Sequence, residues 1–341
     1  MTSAALIELA LRAKPCSQNE LAKKLGVSPT QISNWKKGDQ ISSEKAAKLA
    51  KIAGIGDLDP NFVLAAGSVK DAKKWQKLVC YLAESADYAE ETGYQTADLI
   101  EETDSLGQRT FNVLTAMGVA IPTPFPKELE MDYEKADADS LLDQNPHANL
   151  IYKIYRSLTD VYGFYAAYLS ELCHEEALDL SDGTAALNIQ GSLMHLAAAK
   201  IEVSTELAPN FQRFSYEQKK YYAEWLTALK AAAFEAGIPL KWEIMDFVND
   251  DHDSLGHAAE RESLGFNKHQ IHPDIYMNEL LVGMRVIHQV LPKIMEKLGM
   301  AGTVELDLEE LHVGQKARST PEEVNAAFAK IAADLKGPEA P

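Results

Sequence analysis

The chain has 341 residues, 46% of them hydrophobic and 25% charged, which is the composition of a folded globular protein with two or three domains. Three scattered cysteines argue against a disulfide framework or a zinc module, and no run of about 18 apolar residues exists, so no membrane partner is expected. With no signal-peptide pattern at its start, the chain is expected to be cytoplasmic.

The net charge of −18 is unevenly distributed along the chain. Residues 1–78 carry 13 Lys and Arg against 7 Asp and Glu, a charge of +6, whereas residues 79–341 carry 20 against 44, a charge of −24. An acidic surface repels the phosphates of nucleic acid. Any contact with a polyanion should therefore be confined to the basic N-terminal segment.

Residues 1–68, called the head from here on, are predicted to form five short helices. The second and third helices each begin with a capping box, Ser17 with Glu20 and Ser28 with Gln31. A two-residue corner that begins at Gly26 is all that separates these two helices. This spacing is typical of a helix-turn-helix unit.

The third helix of the head hides little of its surface. Ile32 and Trp35 lie three residues apart and share an inward face. A helix with a narrow buried edge and a wide polar face suits insertion into the major groove of DNA, where Asn pairs with adenine and Lys with guanine or phosphate. The polar side chains on the other face and its flanks are Thr30, Gln31, Ser33, Asn34 and Lys37.

Residues 17–38 resemble the helix-turn-helix of the lambda-repressor/Cro (XRE) family. The likeness extends from the start of the chain to about position 60 and covers under a fifth of the sequence. The family pattern is met at Gln18, Leu21, Ala22, Leu25, Gly26, Val27, Ser28, Ile32, Ser33, Trp35 and Gly38.

The resemblance implies roles for individual residues in DNA binding. Gln18 would contact a phosphate, and Lys36, which replaces a frequent glutamate, would add a backbone contact. Pro29 stands where some relatives place a base-reading side chain. The predicted DNA-binding residues are Gln18, Ser28, Thr30, Gln31, Ser33, Asn34, Lys36 and Lys37, of which Ser28, Thr30, Gln31 and Asn34 would face bases.

Four lysines follow the head at helical spacing, Lys70, Lys73, Lys74 and Lys77. They could contact flanking phosphates, but a solvated helix face is the favoured interpretation.

The body, residues 69–341, is predicted to be helical and acidic. Residues 69–119 read as connecting helices, residues 120–149 as a Pro- and acid-rich linker or loop, and residues 150–337 as a helical domain for oligomerisation or sensing. Two strand-like runs, 239–248 and 302–314, allow at most a small β-hairpin. The predicted fold class is therefore all-α, with a five-helix lambda-repressor-like head and a large helical body.

Three segments of the body carry stronger patterns. A heptad stripe from Ile151 to Leu172 indicates a central bundle helix, which is also the candidate for holding two heads together. Ser215 and Gln218 form a capping box before a helix with an aromatic stripe. A second stripe runs from Met277 to Leu298, with a bend expected at Pro292, and a last helix is predicted from 320 to 337.

The body shows no established catalytic motif. Its one suggestive cluster consists of Asp250, Asp251, His252, Asp253, His257, Glu260, His269 and His272. His257 and Glu260 could share a helix face and hold a metal, as a metal-assisted hydrolase or nuclease requires. Polar residues around a helix start are commonplace, however, so no metal, cofactor or catalytic residue is predicted.

The sequence as a whole predicts a sequence-specific DNA-binding transcriptional regulator that acts as a repressor. Its partners would be a double-stranded operator, a second or further copies of itself, and an effector that is a small molecule, peptide or protein. One alternative is an effector enzyme of the toxin or phage-defence type with a DNA-targeting head. Another is an adaptor whose acidic surface contacts a basic partner.

Overall fold

The computed structural model describes residues 3–14, 16–133, 141–142, 144–173, 189–238, 240–266 and 273–299. Within these ranges the chain forms helices joined by loops and no strand, so the all-α prediction is confirmed. Contacts divide the chain into two units, Met1–Tyr276 and Met277–Pro341. No helix of the described residues is long and apolar enough to cross a membrane.

The head contains the five predicted helices. They are α1 (Ser3–Ala13), α2 (Gln18–Leu25), α3 (Pro29–Lys36), α4 (Ser43–Ala53) and α5 (Pro60–Ala66). Helix α1 packs against α3, α4 and α5, and α2 packs against α3. Side chains from all five helices are buried between them, among them Leu6, Leu21, Ile32, Leu49 and Val63.

Ten further helices follow in the described part of the body. They are α6 (Val69–Tyr88), α7 (Ala97–Ile100), α8 (Thr103–Ala116), α9 (Pro146–Tyr168), α10 (Ser170–Cys173), α11 (Leu193–Ala199), α12 (Phe211–Ala236), α13 (Asp246–Asn249), α14 (His252–Ser263) and α15 (Pro273–Lys297). Single 3-10 turns occur at Lys127–Leu129, Gln190–Ser192 and Trp242–Met245.

Helix α9 is the centre of the body, as its heptad stripe predicts. It packs against α6, α11 and α14. The stripe is buried, including Ile151, Tyr155 and Leu158. The Tyr155 hydroxyl lies 2.5 Å from the Thr110 hydroxyl, and the Ser157 hydroxyl donates to the carbonyl oxygen of Ala197 on α11 at 2.8 Å. This stripe therefore packs against other helices of the same chain and is not available for contact with a second copy.

The head is joined to the body by an aromatic cluster. Helix α5 packs on α6 and α8. The ring of Phe62 on α5 meets that of Phe111 on α8 edge-on at 4.7 Å, and Trp75 on α6 lies 5.4 Å from Phe111 and 5.0 Å from Phe125. Phe125 belongs to the segment predicted as a linker, and its ring is buried.

Two local predictions for the body are wrong. The helix with the aromatic stripe begins at Phe211, so Ser215 lies inside it, where its hydroxyl donates to the carbonyl oxygen of Ala199 instead of capping. The run 239–248 forms a 3-10 turn and α13 in place of a strand. Its buried residues, Glu243, Ile244, Phe247 and Val248, recur at helical spacing, so burial on one side of a helix decides the structure.

Helix α15 contains the predicted stripe and Pro292. Its large apolar side chains from Leu280 to Ile294, among them Met284, Ile287 and Leu291, are exposed in this structure, in contrast to the stripe of α9. The strand-like run 302–314 and the helix predicted from 320 to 337 lie outside the described residues.

Candidate nucleic-acid interface

Helix α2 begins with the capping box that the sequence predicts. The Ser17 hydroxyl accepts from the backbone N–H of Glu20, and the Glu20 carboxylate accepts from the backbone N–H of Ser17 at 2.8 Å. This hydrogen bond lowers the pKa of Glu20, because it stabilises the charged form. The start of α2, where Gln18 stands, is thus fixed by the local sequence.

The corner between α2 and α3 depends on Gly26. Its backbone has φ 66° and ψ 45°, the left-handed conformation that a side chain disfavours. The N–H of Val27 donates to the carbonyl oxygen of Ala22 at 3.0 Å, which completes the helix end. The Lys45 ammonium on α4 donates to the carbonyl oxygen of Leu25 and so satisfies a second carbonyl at this end.

Helix α3 begins where the sequence places it. The Ser28 hydroxyl accepts from the backbone N–H of Gln31 at 3.2 Å, and Pro29 occupies the first turn. The Gln31 side chain is exposed to solvent. Among the described hydrogen bonds, Gln31 does not return a bond to the Ser28 backbone, so only half of the second predicted capping box is formed.

Helix α3 has a narrow buried edge and a wide exposed polar face, as predicted. Ile32 is 0% exposed and Trp35 is 4% exposed, so both anchor the helix in the head. Of the eight predicted DNA-binding residues, six are exposed and two, Gln18 and Ser33, are half-buried. The exposed six are Ser28, Thr30, Gln31, Asn34, Lys36 and Lys37. Seven of the eight come from α3 and its ends, and Gln18 comes from the first turn of α2.

The far end of α3 is held by a contact that sequence reasoning missed. The hydroxyl of Ser3, buried at the start of α1, lies 2.8 Å from the carbonyl oxygen of Trp35 and 2.7 Å from that of Asp39. One small side chain therefore fixes the C-terminal end of the helix that carries Asn34 and Lys37. No local pattern marks Ser3, because both of its partners are distant in the sequence.

The charge around α3 is positive. Residues 21–38 contain four lysines and no Asp or Glu, and all four lysines, at positions 23, 24, 36 and 37, are exposed. The surface thus combines amide and hydroxyl groups, which recognise base edges, with cations, which bind phosphates.

The lysine stripe of α6 is partly neutralised. Lys74 forms ion pairs with Asp71 and Glu130, whereas Lys70, Lys73 and Lys77 are exposed. A cavity of about 300 Å³ lies beside this stripe. Its lining residues are Lys74, Lys77, Phe125, Leu129, Glu130, Met131, Asp132 and Tyr133.

The acidic and histidine cluster around α14 is not arranged around His257 and Glu260, the pair that the sequence suggests for a metal. His257 is exposed on α14, and His269 and His272 lie outside the described residues. His252 instead turns its Nδ1 to Asp160 on α9, 2.7 Å from Oδ2. With Asp253, these two residues place ligand-type atoms within 4.8 Å of one another. Such a group could hold a cation through one imidazole and two carboxylates.

The Asp160–His252 contact also satisfies both side chains without an ion. The hydrogen bond from Asp160 raises the pKa of His252, and burial raises the pKa of Asp160 against the opposing effect of the imidazolium. The two residues are 92 positions apart, so no spacing rule could have paired them. A Cβ at Gly256 would lie 2.6 Å from Asp160 Oδ1, so this glycine lets α14 approach α9.

Comparison with known proteins identifies the head alone. The family model for the helix-turn-helix matches residues 8–58. No curated protein and no solved structure matches the chain. The matched segment contains the end of α1, the whole of α2, α3 and α4, and the turn before α5. Residues 8–58 therefore form a helix-turn-helix domain of the lambda-repressor/Cro (XRE) type, a kind of domain that binds DNA.

Proposed function

We propose that the protein is a transcriptional repressor that reads a specific duplex operator through α3. The observation that carries this proposal is the exposed polar face of α3, held by Ile32 and Trp35 on one side and by Ser3 at its end. Asn34 stands at the middle of that face, where a bidentate contact with adenine would select the base. Occupation of the operator would block polymerase.

The operator is proposed to have two half-sites, each read by one head. A single helix of eight residues contacts few bases, and proteins of this architecture read half-sites ~34 Å apart as dimers. Residues 79–341 confine DNA binding to the N-terminal part of the chain, because their charge of −24 repels phosphate. The three cysteines are free thiols, which agrees with action in the cytoplasm.

The experiment that tests this proposal is selection of bound sequences from a random duplex pool at ~150 mM salt, since phosphate contacts dominate at lower salt. The full-length protein should enrich an inverted repeat. The Asn34→Ala variant should lose about 10- to 100-fold in affinity for it and accept other bases at one position per half-site. Asn61→Ala, which removes an exposed amide of α5, is the matched control and should enrich the same repeat. Enrichment of no sequence by the wild-type protein would contradict the proposal.

An effector site is proposed in the cavity beside α6. Its lining contains two lysines, Lys74 and Lys77, and two acids, Glu130 and Asp132, around the apolar surfaces of Phe125, Leu129 and Met131. Lys74 is paired with Glu130, and the exposed cation of Lys77 is the group proposed to bind a small carboxylate with an apolar tail. Burial raises the pKa of Tyr133 to about 12, so its hydroxyl stays neutral, and it donates its proton to the carbonyl oxygen of Leu129 at 2.6 Å.

A melting-temperature screen with aliphatic and aromatic carboxylates tests this site. Ligands that stabilise the wild-type protein should lose that effect in Lys77→Glu, whereas Lys70→Glu, on the same exposed stripe, should respond like the wild type. Equal responses of both variants would contradict the assignment of the cavity.

We also propose that the body acts without catalysis. The support is that His252 Nδ1 and Asp160 Oδ2 are hydrogen-bonded directly to each other. A metal-dependent effector enzyme is the competing candidate, favoured by the proximity of Asp253 to the same pair. Nuclease activity that is abolished by chelation and by Asp160→Asn would establish the competing candidate.

A further inference from the structure

Helix α15 carries an apolar seam that the described part of the chain leaves uncovered. Of the 17 exposed large hydrophobic side chains in the described residues, ten lie between Leu280 and Leu298, while the other seven are scattered elsewhere. Ile287 is 62% exposed and Leu298 is 68% exposed. Exposed apolar surface of this extent marks an interaction site.

The seam follows a strict heptad repeat. Its members alternate by three and four residues: Leu280, Met284, Ile287, Leu291, Ile294 and Leu298. The sequence extends the repeat to Met277, so the seam occupies three heptads of a helix that is roughly 38 Å long. This is the pattern by which a helix packs against another of the same repeat, with side chains as knobs in the holes of its partner.

We infer that a second copy of the chain covers this seam, so that α15 from two chains pairs and joins two heads. The inference deepens the proposed function and rests on it for the need to hold two heads together. An identical helix offers the same repeat over the same length, so every layer of the seam finds a matching layer.

The charge of α15 permits such pairing. Residues 79–341 carry −24, and two copies of that surface repel each other. Residues 277–299, by contrast, have only Glu279 and Glu296 against Arg285, Lys293 and Lys297, a charge of +1. This segment is thus a part of the body where two copies can approach without like-charge repulsion.

The chain itself offers a shorter partner. The sequence of segment 320–337 has an apolar stripe that runs only from Val324 to Leu335, whereas the seam runs from Leu280 to Leu298. At ~1.5 Å per residue this stripe would leave about two-fifths of the seam exposed. A second copy covers the seam fully. Pro292 follows Leu291 on the side away from the seam, so its ring does not occupy a seam position.

The test is the mass of the full-length protein in solution, by light scattering or sedimentation, for three chains. The wild type should have a mass of at least two chains at micromolar concentration. Ile287→Glu with Leu291→Glu should raise the dissociation constant by at least about tenfold, because a carboxylate must be buried in each seam layer. Gln289→Glu adds a single carboxylate on the opposite face and should associate like the wild type.

The outcomes separate this inference from the proposed function. A wild type with the mass of one chain would overturn it. Association that survives the double substitution would also overturn it. A wild type that associates through the seam and binds no DNA would support the inference while the proposed function fails. The double variant should still bind one half-site through its intact head and should lose preference for two.

Discussion

Ser3 illustrates how a single side chain outside the binding surface can control it. Its hydroxyl is the buried partner of two carbonyl groups at the end of α3, Trp35 and Asp39. Its single O–H proton can be donated to the Trp35 carbonyl, in a buried place, or to the Asp39 carbonyl, in a partly buried one, and the Trp35 carbonyl also accepts from the backbone N–H of Gly38. Removal of the hydroxyl therefore loses about one net hydrogen bond.

The Ser3→Ala variant is therefore expected to lose about 0.5–1.5 kcal/mol of unfolding free energy in urea titrations. It should also bind the selected operator more weakly, because the end of α3 is released. Ser43→Ala removes an exposed hydroxyl from α4 and should change neither quantity. Unchanged stability and affinity in Ser3→Ala would show that the contact does not hold the helix.

His252 gives the body a pH-dependent link between α14 and α9. The hydrogen bond that the imidazole makes to the Asp160 carboxylate raises the pKa of His252 above its ordinary value of 6.5. The folded state therefore holds this proton more tightly than the unfolded state. Its contribution to stability is complete below pH 6.5 and is lost as the pH rises through the raised pKa of the folded protein.

Urea unfolding at a series of pH values above 6.5 should thus show declining stability. His252→Gln should abolish that part of the decline, roughly the 1.5–3 kcal/mol of a charge-assisted hydrogen bond. His257→Gln, an exposed residue of the same helix, should keep the wild-type profile. Parallel profiles for wild type and His252→Gln would refute the link.

At the scale of elements, the close approach of α8 to α5 and α6 is the joint between head and body. A Cβ at Gly107 would lie 2.3 Å from Gln76 Oε1 and 2.7 Å from Phe62 Cζ. The glutamine can move, but the Phe62 ring is fixed in the aromatic cluster with Phe111 and Trp75. The glycine is therefore required by packing rather than by its backbone conformation.

Gly107→Ala should cost about 1–3 kcal/mol of stability, the usual penalty for overpacking. Calorimetry should show a lower melting temperature, and limited proteolysis should cut more readily between α5 and α6. Gly191→Ala is the control, because a Cβ there meets nothing within 4 Å. Equal melting temperatures for the two variants would contradict the role of Gly107.

The sequence predicts elements well where their signals are local. Ser17 with Glu20, the corner at Gly26 and the Ile32–Trp35 edge all involve residues a few positions apart, and the structure confirms each of them. The capping-box pattern places the start of α12 at Ser215, whereas the helix begins at Phe211 and the Ser215 hydroxyl donates to the carbonyl oxygen of Ala199, 16 residues away. The run 239–248 has a strand-like composition, but burial on a helical period outweighs strand propensity.

Long-range pairs could not be predicted in the same way. The partner of His252 is 92 residues away, and those of Ser3 are 32 and 36 residues away. The heptad stripe of α9 indicated an apolar helix, but only the fold shows that its stripe is filled from within while that of α15 is exposed. The period of the apolar residues shows which face of a helix is apolar. Only the tertiary structure shows what packs against that face.

At the scale of the whole molecule, the charge asymmetry and the exposed seam lead to one arrangement. The basic head binds DNA, the acidic body keeps the rest of the chain away from phosphate, and α15 holds two chains together. Two heads on one duplex must lie on the same face of the helix. The spacing between half-sites should therefore matter as much as their sequence.

Binding to duplexes with two selected half-sites, measured by fluorescence anisotropy at ~150 mM salt, tests this account most directly. The protein should bind tightly when the half-site centres lie about one helical turn, ~10 base pairs, apart. Insertion of about 5 base pairs turns one half-site to the opposite face and should reduce affinity to that of a single half-site. Equal affinity at both spacings would show that the heads act singly and would contradict the account.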